Sequence, residues 1–113
     1  MLATILGASA VYVAAEPVDF RKSIDGLALA VESSLGASPL SGAVFVFFNR
    51  GKDKVKLLWW DRHGFWLAYK RLEKGRFRLP GETRLSRADL LLVLEGVELS
   101  ARRLRAVPAS RAA

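Results

Sequence analysis

The run Ala43-Val-Phe-Val-Phe-Phe-Asn49 places six apolar side chains in succession. In an extended strand neighbouring side chains point to opposite faces, so this stretch is apolar on both and belongs inside a sheet. The rest of the chain is read around it. The stretch 10–20, AVYVAAEPVDF, reads as a first strand ended by Pro17. Asp19 then stands at an N-cap position ahead of Ile24, Leu27, Ala28, Val31 and Leu35. That i, i+3, i+4, i+7 stripe predicts an amphipathic helix over roughly 20–35, closed by Gly36. Residues 38–42, SPLSG, form a turn. Two further strands are expected in 56–71, KLLWWDRHGFWLAYKR, and another in 76–80, RFRLP, after the turn Glu73-Lys74-Gly75. A second helix is expected in 86–97, SRADLLLVLEGV, with Ser86 and Asp89 in capping-box positions and Gly96 near its end.

These elements predict an α+β fold in the order βαββββα. It is a single domain over residues 1–99, a mostly antiparallel sheet of about five strands with two helices. The basic, Pro-broken tail 100–113 is expected to fray. A chain of 113 residues with 51% apolar content and mean hydropathy +0.18 is long and apolar enough for one core. The absence of cysteine excludes disulfides and thiolate ligands and fits a reducing interior. MLATILGASA ends like a signal-peptidase site, but it lacks a basic leading region and is read as a native start. No apolar stretch approaches the ~18 residues of a membrane span, so a soluble, cytoplasmic protein with no membrane partner is expected.

The formal charge of +7 is unevenly spread. Between Arg50 and Arg87 twelve Lys or Arg face four acids, whereas the rest of the chain has six against seven. A concentrated basic region suits a polyanion, because phosphate contacts release condensed counterions. A solvated surface that merely favours Lys and Arg is the plainer alternative.

Asp61-Arg62-His63-Gly64 has the preferences of a type I turn followed by a left-handed glycine, a three-residue loop. That loop sets Asp61 opposite Phe65, Trp60 opposite Trp66, Leu58 opposite Ala68 and Lys56 opposite Lys70. Alternation then sorts Val55, Leu57, Trp59, Phe65, Leu67, Tyr69, Phe77 and Leu79 onto a core face. The other face carries Lys54, Lys56, Lys70, Arg76 and Arg78 around Trp60 and Trp66. Such a face matches single-stranded nucleic acid, with cations on phosphates and bases stacked on the indoles. The alternative is that a helix covers Trp60 and Trp66 while the basic stems reach past it to water.

Arg21 and Lys22 stand where the first helix is expected to start, against its macrodipole. With free backbone N–H groups they would cradle a phosphate; otherwise they turn to water or pair with Glu16 or Asp25. His63, the sole histidine, is expected to be a solvated turn residue. Asp19, Asp61 and Glu73 could be imagined as a metal-binding triad, but each has a plainer local role. No catalytic constellation, metal site or cofactor loop stands out, so no enzyme activity, metal or cofactor is expected.

VDFRKSIDGLALAV, SGAVFVF, KVKLLWWDRHGFWLAYKRLEKGRFRLP and LSRADLLLVLEGV resemble, in order and spacing, the TnpB accessory proteins of insertion-sequence family sixty-six. The likeness runs from about Val11 to Val97. Its motif residues fall on Asp19, Arg21, Lys22, Lys56, Trp60, Asp61, Gly64, Lys70, Arg71, Glu73, Gly75, Arg76 and Phe77, whereas Val18 and Phe20 depart from the usual Thr and Met. The resemblance implies a non-catalytic accessory factor for transposition, encoded beside a second small protein and a large transposase that performs strand transfer. Joined to the residue-level reading, it predicts binding of DNA, at transposon ends or as single-stranded intermediates. Arg21, Lys22, Lys54, Lys56, Lys70, Arg76 and Arg78 would meet phosphates, and Trp60 and Trp66 would stack bases. The competing expectation is a module that docks on the transposase without touching DNA. The oligomeric state is left open.

Overall fold

The computed structural model describes residue 5 and residues 7–99. All five residues of β2 (Val44–Phe48) are buried, as a strand apolar on both faces requires. It lies in the middle of a five-stranded sheet. On one side it pairs parallel with β1 (Val11–Val13), which reaches it through helix α1 (Ile24–Leu35). On the other it pairs antiparallel with β3 (Lys54–Asp61), which forms a hairpin with β4 (Gly64–Arg71). The short β5 (Arg84–Leu85) adds to β1 and leads into helix α2 (Arg87–Leu94). The spatial order is β4-β3-β2-β1-β5. The α+β class and the order βαββββα are therefore as expected.

Each face of the sheet has its own helix. Leu27 and Val31 of α1 pack on Phe45, Phe47 and Leu58. Leu90 and Val93 of α2 pack on Val44, Val46, Phe48, Val55, Leu57 and Trp59. Gly36 ends α1 at φ 60 with its N–H on the Val31 carbonyl, and the Ser86 hydroxyl accepts from the Asp89 N–H at 3.0 Å. Both caps stand where the sequence puts them.

Three local expectations are corrected. First, α1 starts at Ile24 after Ser23, not near residue 20. Asp19 instead closes a turn of its own: its Oδ1 accepts from the Arg21 N–H at 2.9 Å and its carbonyl from the Lys22 N–H at 3.0 Å. Arg21 and Lys22 thus precede the helix, and the acid in its first turn is Asp25.

Second, RFRLP is not a strand. Gly75 has the left-handed φ of 74 that its turn called for, but no hairpin follows. The Leu72 N–H bonds the Asp53 carbonyl and the Phe77 N–H bonds the Lys52 carbonyl, so the chain crosses the loop before β3. Phe77, 1% exposed, enters the core against Phe48, ring centroids 5.6 Å apart. The fifth strand is Arg84–Leu85 instead.

Third, the β3–β4 loop has two residues, Arg62 and His63, with Asp61 paired to Gly64. Arg62 takes φ 55, and the His63 N–H closes on the Asp61 carbonyl at 2.6 Å. Every cross-strand pair shifts by one: Trp60 faces Phe65, Trp59 faces Trp66, Leu57 faces Ala68 and Lys56 faces Tyr69. A one-residue slip moves a whole strand's side chains to the other face. The expected tail 100–113 lies outside the described residues.

Candidate nucleic-acid interface

With the observed register, Lys54, Lys56, Leu58 and Trp60 share the α1 side with Phe65, Leu67, Tyr69 and Arg71. Val55, Leu57, Trp59 and Asp61 share the α2 side with Trp66, Ala68 and Lys70. Trp60 and Trp66, expected as neighbours on one platform, lie on opposite sides of the sheet. Trp60 is half-buried and meets Phe65 edge-on at 5.1 Å. Trp66 is 58% exposed, stacks on buried Trp59 at 6.2 Å, and points its indole Nε1 at Asp61 Oδ2, 3.3 Å away.

Lys56 does not face solvent. It is 7% exposed, and its ammonium donates to the carbonyls of Phe20 and Lys22, both at 2.8 Å. It also sits over the Phe20 ring at 4.9 Å and the Tyr69 ring at 5.7 Å. Burial pushes its pKa down, partly opposed by the negative charge of Asp19. The two most specific stretches of the sequence, around Asp19-Phe20-Arg21-Lys22 and around Lys56, are thus tied together through this one ammonium group.

Arg21 grips the residue that sets the turn. Its Nε and an η nitrogen bond the Asp19 carboxylate at 2.6–3.1 Å, on a side chain 91% exposed. The bidentate pair holds the Asp19 carboxyl at a pKa of about 2. Lys70 reaches the Leu94 carbonyl at 2.8 Å, at the end of α2 where the helix dipole favours a cation.

The remaining cations gather at the open end of the hairpin. Lys54 and Arg71 pair across β3 and β4, and the hydrogen bonds of Leu72 and Phe77 bring 72–78 against the loop 50–53. Arg50, Lys52, Lys54, Arg71, Lys74, Arg76 and Arg78 therefore share one end of the molecule. Gly51, Asp53, Glu73, Gly75, Arg76 and Arg78 border a polar cleft of about 640 Å³ there. Pro17–Phe20 and Asn49–Gly51 line a second hollow beside it, so the Asp19 turn adjoins the same end. Within this cluster Arg71 pairs with Glu73 at 2.9 Å, whereas the other six cations form no salt bridge with another described residue. Asp53 is held below its usual pKa chiefly by the Asn49 side-chain amide, with the charges of Lys54 and Arg76 adding to it.

Of the expected site residues, Lys54, Arg76 and Arg78 meet at this end, with Lys22 in the adjoining turn. Lys56 is withdrawn into the protein, and the tryptophans sit at the far end of the hairpin, ~20 Å along β3. Arg50, Lys52, Arg71 and Lys74 complete the cluster. In the sequence Arg50, Lys52 and Lys74 show only in the charge excess that begins at Arg50, whereas Arg71 also stands among the motif residues of the resemblance. Asp19, Asp61 and Glu73 are not brought together: each has a different partner, Arg21, the Trp66 indole and Arg71.

The family described as IS66 Orf2 like protein matches residues 9–104, most of the chain. The chain belongs to that family. Two proteins of Sinorhizobium fredii (strain NBRC 101917 / NGR234) are similar over 92 residues. The uncharacterized protein y4jC is 36% identical, covering 78% of this chain and 79% of its own length. The uncharacterized protein y4hO is 37% identical, covering 78% and 80%. No solved structure matches. Membership ties this IS66 Orf2-like chain to an insertion-sequence transposition system. No helix among the described residues is long and apolar enough to cross a membrane.

Proposed function

We propose that this IS66 Orf2-like protein is a non-catalytic accessory factor that holds DNA of its insertion sequence through the basic end of the sheet. The observation that carries the reading is the convergence of two basic stretches, Arg50–Lys54 and Arg71–Arg78, imposed by the hydrogen bonds of Leu72 and Phe77. Six cations without a salt-bridge partner among the described residues gather at this end, and two of them, Arg76 and Arg78, border a cleft whose glycines keep the backbone open to a phosphate chain. The strand-transfer chemistry belongs to the element's transposase, with which this protein and a second small protein act. Because Trp60 is half-buried against Phe65 at the far end of the hairpin, the phosphate backbone is the ligand of this site and base stacking on Trp60 is not part of it.

Fluorescence anisotropy of labelled duplex and single-stranded oligonucleotides tests this reading. Engagement of six phosphates predicts an affinity loss on the order of 10³-fold between about 50 and 200 mM salt. The Arg76→Glu, Arg78→Glu pair lowers affinity and flattens the salt slope by about 2, whereas Trp60→Ala leaves both unchanged. Affinity indifferent to salt, or a charge-reversed pair that binds like the wild type, would refute it.

Docking on the transposase is a second reading, favoured by an apolar groove of about 780 Å³ between α2 and the hairpin, lined by Leu57, Ala68, Leu91 and Leu92 among others. Loss of transposase co-purification in Leu91→Asp, with DNA affinity intact, would select it.

A further inference from the structure

The strand β4 ends the sheet, with no further strand paired to its outer edge among the described residues. The bond from the Leu72 N–H to the Asp53 carbonyl shows which residues face β3: in an antiparallel ladder the parity alternates, so residues 64, 66, 68 and 70 point inward. Phe65, Leu67, Tyr69 and Arg71 therefore turn their N–H and C=O groups outward. These groups make no hydrogen bond to another described residue. Edge strands of this kind are normally blunted by proline, a bulge, short length or charged side chains, and β4 carries charge only at its last two residues, Lys70 and Arg71. Here the ladder with β3 runs through eight consecutive pairs without a bulge, and β4 contains no proline. Trp66 and Tyr69, 58% and 53% exposed, flank this edge, one on each face of the sheet.

We propose that β4 is the pairing strand of a homodimer, joined antiparallel to β4 of a second copy across a two-fold axis at Ala68. The chain's other sheet edge, β5, has two residues and offers no comparable ladder, so head-to-tail growth is disfavoured. Outward-facing residues must pair with outward-facing residues, and of the registers that allow this the one centred on Ala68 sets Phe65 opposite Arg71 and Leu67 opposite Tyr69 of the second copy, with hydrogen bonds at each. On the other face Trp66 stands opposite Lys70 and Ala68 opposite itself. Every cation then meets an aromatic ring, and no like charges oppose each other within the strand, which is the self-complementarity an isologous interface requires. The product is a continuous ten-stranded sheet in which the exposed Trp66 is buried twice.

Sedimentation equilibrium on the full chain tests the assignment. The wild type is expected at twice the 12.4 kDa chain mass. Trp66→Lys changes an exposed side chain, leaving the fold intact by circular dichroism. It sets Lys opposite Lys70 at two symmetric positions and should weaken the dimer roughly 10- to 100-fold. Trp66→Lys with Lys70→Glu restores opposite charges at both positions and should recover dimerisation. A wild type that stays monomeric at about 100 μM overturns the proposal. So does a dimer indifferent to Trp66→Lys, or one that the second substitution fails to rescue. DNA affinity is not the readout, so failure here leaves the basic-end reading standing, and the reverse holds equally.

Discussion

Replacing Lys56 by methionine isolates what its ammonium does. Methionine keeps an unbranched stem of similar length, so the packing against Phe20 and Tyr69 is largely retained and no large cavity opens. What is lost is two hydrogen bonds from a charged donor, to the carbonyls of Phe20 and Lys22 at 2.8 Å. Bonds to charged groups contribute ~1.5–3 kcal/mol each. The ammonium over the Phe20 ring at 4.9 Å contributes a further ~0.5–1 kcal/mol. Against this stands the cost of burying the charge, visible in the lowered pKa of Lys56. Methionine removes that cost and leaves the carbonyls of half-buried Phe20 and exposed Lys22 without a protein donor. The balance is a net loss of about 2–4 kcal/mol, dominated by the two lost hydrogen bonds from the charged donor. For a domain of this size it corresponds to a fall in Tm on the order of 10–25 °C. Thermal and urea unfolding followed by circular dichroism give the value. Amide exchange should also show the Asp19 turn loosening first, because Lys56 is what bridges it to the sheet. A Tm within a few degrees of the wild type would refute the reasoning and return Lys56 to the surface cations.

Asp19 supplies a pH test. Its folded pKa of about 2 lies below the ordinary 3.8, so its contribution to stability is complete above the ordinary value and disappears as pH falls toward 2. The Tm difference between wild type and Asp19→Asn should therefore close across that window, and a difference independent of pH there would contradict the Arg21 pairing. The two-residue turn makes a signed prediction. Arg62→Gly relieves a left-handed residue and should stabilise by about 1 kcal/mol, while Gly64→Ala, whose Cβ would meet nothing within 4 Å, should be neutral or mildly stabilising. In a three-residue loop with a left-handed Gly64, Gly64→Ala would destabilise and Arg62→Gly would gain nothing, so chemical denaturation of the two variants decides between the turns.

The parts of the fold legible in the sequence are those where one residue type has one physical option. Six apolar residues in a row placed β2 inside the sheet, Gly36 could accept the left-handed cap, and Ser86 could bond the Asp89 N–H. The hairpin register was not legible for a related reason. Alternation reports a register only when one face is wet, and β3 is covered on both, so apolar residues at successive positions carry no phase. Turn chemistry then decided the reading alone, and Gly64 in the fourth position pointed to the wrong loop. RFRLP alternates like a strand, yet β3 begins only at Lys54. Residues 72–77 therefore found the loop 52–53 instead of a ladder.

The same two-sided burial explains the candidate site. A lysine in the middle of a strand covered on both sides cannot reach water along either face, so Lys56 had to find acceptors within the protein. The carbonyls of Phe20 and Lys22 are those acceptors. Its neighbours in the charge count escaped that fate because they sit in loops or at strand ends, where the covering helices do not reach. Burial therefore sorts the basic residues by position rather than by type: mid-strand Lys56 becomes a structural strut, and the ends Arg50–Lys54 and Arg71–Arg78 keep their charge at the surface. That sorting moves the DNA-binding proposal from the face of the sheet to its end. It also places the exposed Trp66 outside the proposed basic site and beside the outer edge of β4.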